Sequence, residues 1–166
     1  MAICLSLYLW TGITIKTTVK IKKILIIDTS VAVKWVNRQH ESNIKQADKI
    51  LEDFQNEECS ILMPELSKYE LGSALLYKKA PLQTTLSSLA TYYHIPIQFV
   101  PQDEQQAKDT IKIAHNSGMT YYDAAFISLA KAQKADLITD NPKHQGRYKG
   151  KDVRVISLKD YGKKSC

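Results

Sequence analysis

Ile24-Leu25-Ile26-Ile27-Asp28 opens the part of the chain whose pattern decides the fold. Four aliphatic side chains in unbroken succession suit a strand buried on both faces of a parallel sheet, because alternate residues then meet helices on opposite sides. The acid that ends the run stands at a carboxyl strand end, where open parallel sheets collect their ligands. Leu137-Ile138-Thr139-Asp140 repeats the arrangement far along the chain.

Between and beyond these runs, Ser42 can cap a helix to about Phe54, with Ile44, Ala47, Ile50, Leu51 and Phe54 at helical spacing. Ile61 to Met63 reads as a short strand, and Pro64 as the first residue of a helix to about Lys79. Pro81 separates that helix from another, Leu82 to Tyr93. Ile97 to Val100 reads as a strand and Gln102 to Ser117 as a helix closed by Gly118. Thr120 opens a helix to about Lys134, and Val153 to Ile156 is a last strand. Strands alternating with helices predict an α/β layered domain with a mostly parallel sheet.

The chain of 166 residues is near the size of one compact domain, and its 44% hydrophobic content suffices for a core. A formal charge of +6 favours anionic partners such as nucleic acid. Cys4, Cys59 and Cys166 are too scattered for a zinc site or a disulfide framework, which points to reduced thiols and a cytoplasmic protein. The apolar stretch Ala2 to Ile15 has no basic residue before Lys16 and is shorter than the roughly 20 residues a bilayer span needs, so no membrane association is expected. Residues 1–20 read as an amino-terminal extension, 21–160 as the domain and 161–166 as a tail. A rival start lies near Val19, since Lys20 to Ile27 already looks like a complete first strand.

Asp123 sits near the amino end of an apolar helix, in Thr120-Tyr121-Tyr122-Asp123-Ala124-Ala125, and Glu70 lies between Tyr69 and Leu71. Taken singly, each acid has an ordinary explanation. Asp28 and Asp140 suit turns after strands, Asp123 has capping-box spacing from Thr120, and Glu70 could be a solvated helical residue. Taken together they gather at one rim, where carboxylates repel one another unless a cation intervenes. Oxygen ligands without His or Cys suit magnesium or manganese, and such ions can promote hydrolysis of a phosphodiester.

Ile-Ile-Asp28-Thr29-Ser30, Glu70-Leu71-Gly72-Ser73-Ala74-Leu75, Tyr122-Asp123-Ala124-Ala125 and Leu-Ile-Thr139-Asp140 together resemble the PIN-domain family, over about Ile21 to Ile156. Small stand-alone members are similar to VapC-type toxins of prokaryotic toxin–antitoxin pairs. The resemblance implies a three-layer domain with a central parallel sheet between helices, an Mg2+- or Mn2+-dependent endoribonuclease, and often a homodimer with an antitoxin partner. It places the family's four acids on Asp28, Glu70, Asp123 and Asp140, all catalytic and metal-holding, with Asp28 and Asp123 the principal ligands. Ser30 and Thr139 match small hydroxyl positions that either bind a carboxylate or cap a turn. Glu65 is a local rival to Glu70, explained equally by the dipole of its helix.

The stretch Asn141 to Lys149 puts several cations beside Asp140, where it could hold RNA phosphates or be a solvated loop. Lys34, Trp35 and Arg38 could add a basic and aromatic edge. A receiver-like signalling domain is the main reading from another class, but it would need an acidic pair where Thr29-Ser30 follows Asp28. A haloacid-type phosphatase would need Asp in place of Ser30, and a non-catalytic RNA-binding module or an RNA-processing nuclease also fits the composition.

Overall fold

The computed structural model describes residues 3–8, 14–19 and 22–163. β1 (Ile3–Tyr8) and β2 (Thr14–Val19) pair antiparallel as a separate two-stranded sheet, inside the stretch read as an extension. The reading of residues 1–20 and of the tail otherwise falls partly outside the described residues.

The main sheet joins β3 (Lys23–Ile27), β4 (Cys59–Pro64), β5 (Gln98–Val100), β6 (Asp136–Thr139) and β7 (Val155–Ser157), all parallel, in the order β5-β4-β3-β6-β7. Alternation along these strands sorts the core into two layers. Leu25 and Ile27 of β3 and Ile61 and Met63 of β4 face α1 (Thr29–Val36), α2 (Ile44–Gln55), α3 (Ser67–Tyr77) and α4 (Leu82–His94). Ile26, Leu62 and Leu137 point the other way, onto α5 (Glu104–Ser117) and α6 (Tyr121–Gln133). Residues Ala124 to Ala130 of α6 are buried without a break, which explains why that helix shows no solvent-facing stripe. Truncating Phe126 to Ala there would cost about 3–5 kcal/mol.

The expected class, a three-layer α/β domain with a parallel sheet, is the one found. The element ends differ. Pro64 ends β4 instead of opening a helix, because it stands in register with Val100 and the next N–H, that of Glu65, donates to the Val100 carbonyl at 3.0 Å. Asn43, not Ser42, is the residue before α2, and α5 starts after Asp103, whose carboxylate accepts the Gln106 N–H at 2.7 Å. The stretch after Asp140 is not all loop, since Pro142–Gln145 form one helical turn, α7. No described helix is long and apolar enough to cross a membrane. The Cys59 thiol is buried, and burial pushes it up to about 11, which leaves it protonated at neutral pH.

The strand order itself makes a crevice. From central β3 the chain moves outward to β4 and β5, then returns to the other flank for β6 and β7. Connections leaving β3 and β6 at their carboxyl ends therefore part in opposite directions, and the two residues at that switch point are Asp28 and Asp140.

Candidate active site at the carboxyl edge of the sheet

Asp28 is both a cap and a site residue. Its backbone N–H extends the ladder to the Ile138 carbonyl at 2.9 Å, and its Oδ1 accepts the Ser30 N–H at 2.7 Å to cap α1. Its Oδ2 accepts from the Gln145 side-chain amide. With 8% of its surface exposed, Asp28 sits above the usual carboxylate range. Burial is the main cause, hydrogen bonds from Ser30 and Gln145 oppose it, and the Asp123 charge adds to it.

Glu70, in the first turn of α3, accepts the Thr29 hydroxyl at 2.5 Å. It is pushed up to about 7, first by burial and then by the charges of Asp28 and Asp123. Thr120 caps α6: the Asp123 N–H donates to Thr120 Oγ1 at 3.1 Å, and that hydroxyl donates to Asp123 Oδ2 at 2.7 Å, so the carboxylate meets the cap's hydroxyl and not its backbone N–H as in a capping box. His144 Nδ1 lies 3.7 Å from that oxygen.

These three acids press electrostatically on one another. Asp140 is different. Its Oδ2 lies 2.8 Å from Lys34 Nζ, its Oδ1 accepts the Asn43 amide at 2.7 Å, and its backbone N–H donates to Ser30 Oγ at 3.0 Å. Among the described residues, no three His, Cys, Asp or Glu side chains stand close enough together to form a ready-made metal cage.

Of the two hydroxyl positions, Ser30 ties the ends of β3 and β6 together, while Thr139 accepts the Asn141 N–H at 3.0 Å and caps its turn. Thr29 is the hydroxyl that reaches a site carboxylate. Glu65 is exposed and pairs with Lys68 at 3.1 Å. The basic and aromatic edge expected from Lys34 and Trp35 is absent: Lys34 is 2% exposed, and Trp35 is buried with its indole N–H on the Ala47 carbonyl at 2.9 Å. Only Arg38 of that trio is exposed, paired with Asp48 at 2.8 Å. The short spacing from Asp28 was misleading because one turn of α1 rotates both side chains into the protein.

Gln145 escaped the sequence reading. It is 1% exposed, bonds Asp28, and leaves its own Oε1 buried without a partner. The signal available was Pro142 at a first helical position, which turns the following residues back toward the sheet. Lys143, Arg147 and Lys149 remain exposed. His144 and Arg147 line a cleft of about 320 Å³ with Gly118, Thr120 and Asp123. A larger concavity, about 500 Å³, lies at the opposite strand ends beside Lys23, Cys59 and Arg154, remote from the acids.

The sequence profile described as PIN domain matches residues 25–150, most of the chain, and this protein belongs to the PIN domain family. No curated protein matches it by sequence. Among solved structures it is similar to VapBC2 from Rickettsia felis bound to a DNA fragment from their promoter. That match has 16% identity and a TM-score of 0.59, and covers 81% of this chain and 98% of the other. PAE2754 from Pyrobaculum aerophilum matches at 16% identity and a TM-score of 0.58, covering 82% of this chain and 90% of the other. VapC20 from Mycobacterium tuberculosis, a Sarcin-Ricin loop cleaving toxin, matches at 9% identity and a TM-score of 0.54, covering 68% and 86%. At such identities these likenesses establish a shared fold.

Proposed function

We propose that this protein is a metal-dependent endoribonuclease and the toxin of a toxin–antitoxin pair, working in the cytoplasm. The observation that carries the reading is the trio Asp28, Glu70 and Asp123, brought together by β3, α3 and α6 of a PIN fold, with Glu70 pushed up to about 7 by burial and by its two acidic neighbours. Carboxylates held in mutual repulsion form a site that lacks a counter-charge, and the unpartnered buried Oε1 of Gln145 adds an oxygen beside them.

All of these donors are oxygens, which suits Mg2+ or Mn2+. The lack of a ready-made cage among the described residues is compatible with such ions, because Mg2+ usually keeps several waters and takes only one or two carboxylates. Asp28 and Asp123 would hold the ion and Glu70 would complete the set, with Asp140 at the same rim. The ion, when bound, supplies charge stabilisation for phosphodiester hydrolysis and lowers the cost of deprotonating a water.

The chain's own groups do the rest. Thr29 fixes the Glu70 carboxyl in one orientation through its hydroxyl. In the metal-free protein burial and the charges of Asp28 and Asp123 hold Glu70 up at about 7, and a bound cation would lower it and leave the carboxylate ionised as a ligand. Lys143, Arg147 and Lys149 would neutralise RNA phosphates on the side of Asp123 and Asp140. An antitoxin partner is supported by the solved VapBC relatives and by exposed apolar side chains on two adjoining helices, Leu76 and Tyr77 of α3 and Leu82 and Leu86 of α4. The same face would serve a homodimer.

The test is cleavage of RNA by the purified chain with Mg2+ or Mn2+. We expect hydrolysis that stops on chelation and is lost in folded Asp28→Asn and Asp123→Asn proteins; full rates in both would overturn the site. Growth arrest of a prokaryotic host, relieved by Asp28→Asn, would support the toxin role. Cleavage in vitro without arrest would assign the chain to RNA processing instead.

A further inference from the structure

Lys34 is the one buried lysine or arginine among the described residues. It lies on α1 between Val33 and Trp35, and its ammonium group is enclosed by two carboxylates: Asp140 Oδ2 at 2.8 Å and Glu41, to which it donates. Lys78, just after α3, donates to the other oxygen of Glu41 and to the Gln39 carbonyl, the latter at 2.9 Å. Two ammonium groups thus face two carboxylates in a closed, neutral quartet.

Asn43 supplies the remaining partner. Asparagine is among the strongest helix caps, and Asn43 occupies the capping position of α2, yet it makes no capping bond. Its amide instead donates to Asp140 Oδ1 at 2.7 Å, from a backbone held at φ 55°. Each oxygen of Asp140 therefore holds a fixed donor, one of them a full positive charge. A divalent ion approaching that carboxylate would meet an ammonium group already on it. Among the described residues, Asp28, Glu70 and Asp123 carry no lysine or arginine; their hydrogen-bond partners are backbone, hydroxyl and amide groups.

We propose that Lys34 withdraws Asp140 from the inner shell of the ion, leaving Asp28, Glu70 and Asp123 as a three-carboxylate site and making Asp140 a positioning residue. Asp140 then acts through structure: clamped by α1 and the start of α2, it places its backbone N–H on Ser30 Oγ at 3.0 Å and so fixes the residue whose own N–H donates to Asp28 Oδ1. This rests on the metal-nuclease reading above.

The probe is Mn2+ alone, titrated into the full chain while the free ion is followed by electron paramagnetic resonance, with folding of each variant checked by thermal unfolding. Asp28→Asn and Asp123→Asn should weaken binding at least about tenfold, because each removes a negative ligand. Asp140→Asn should weaken it no more than about threefold, the size of a screened field effect. Lys34→Gln frees Asp140 while leaving Asn43 on it and Lys78 on Glu41, so binding should tighten. In that background, adding Asp140→Asn should now cost about tenfold. A long-range field alone would make Asp140→Asn equally costly in both backgrounds, so equal costs overturn the proposal. So does an Asp140→Asn loss matching that of Asp28→Asn, a result that stands even if Lys34→Gln does not fold. If Asp28→Asn and Asp123→Asn both leave binding unchanged, the metal-site reading fails and the proposal falls with it.

Discussion

Two corners of one rim solve the same electrostatic problem in opposite ways. At the Asp28 corner three carboxylates share a partly desolvated space with neutral partners, and the result is raised affinity for protons at Asp28 and Glu70. At the Asp140 corner the carboxylate is met by a buried lysine. Burial opposes the charge on Lys34, but hydrogen bonds and attraction from Asp140 and Glu41 outweigh it and hold its pKa above the usual lysine value. Glu41, opposed by burial in the same way, is held below the usual range by Lys34 and Lys78. The contrast separates charge that arrives paired from charge left under-paired at a cost in stability, which on the proposed reading is kept for a ligand.

Breaking the paired corner should have the largest effect. Lys34→Ala leaves Asp140 and Glu41 short of a buried partner, and should lower stability by about 3–5 kcal/mol in urea unfolding, against about 0–1 kcal/mol for Lys108→Ala at the exposed Glu104 pair. Equal losses would mean that the quartet is no stronger than a surface ion pair.

Breaking the under-paired corner should do the reverse. Asp28→Asn and Asp123→Asn should each reduce RNA cleavage by about 100-fold or more, while leaving the metal-free protein as stable as before or more so. Glu70→Gln should impair cleavage far more than Glu65→Gln, since Glu65 is exposed and pairs with Lys68. Similar rates for the two glutamine variants would show that α3 presents the wrong acid.

The two corners should also answer pH in separate windows. Glu70 binds its proton more tightly folded, at about 7, than at its ordinary 4.5. The folded state then holds the extra proton between those values, and metal-free stability should fall by a few degrees in melting temperature as pH rises from about 4.5 to about 7. Asp28, also raised, works in the same direction. Glu41 is lowered, so its contribution is present above 4.5 and is lost as pH falls through its folded value. Saturating Mn2+ should cancel the loss near neutrality, as should Glu70→Gln without metal. A melting temperature flat from pH 5 to 7.5 in the metal-free protein would contradict this account.

The smallest expected effect concerns substrate. Replacing Lys143, Arg147 and Lys149 together by Ala should weaken RNA binding and flatten its salt dependence by up to about three units of slope, roughly one for each phosphate left without its cation. Arg147 also donates to the Gly118 carbonyl at 2.8 Å, so its share should be the least. An unaltered slope would place the RNA track elsewhere.

The layer architecture and the residues to watch were legible in the amino-acid order alone. Runs such as Ile24 to Ile27 and Leu137 to Thr139 have no other economical use than strands covered on both faces, and the acids that end them are placed by the strands. Thr120 before Asp123 announced its helix by a local rule, and the structure keeps Thr120 as the cap that takes the Asp123 N–H. Local rules failed wherever the deciding partner was remote. Asn43 goes unremarked beside Ser42 until its amide is found on Asp140, 97 residues away, and Gln145 looks like loop until it lies on Asp28, 117 residues away. Lys34 read as a basic edge because lysines are seldom buried, and only the meeting of α1, the stretch 37–43, α3 and the end of β6 supplies the two carboxylates that make its burial tolerable. Backbone pattern is short-range and therefore legible in sequence; the pairing of charges is long-range, and folding alone decided which of the four acids received a cation of its own.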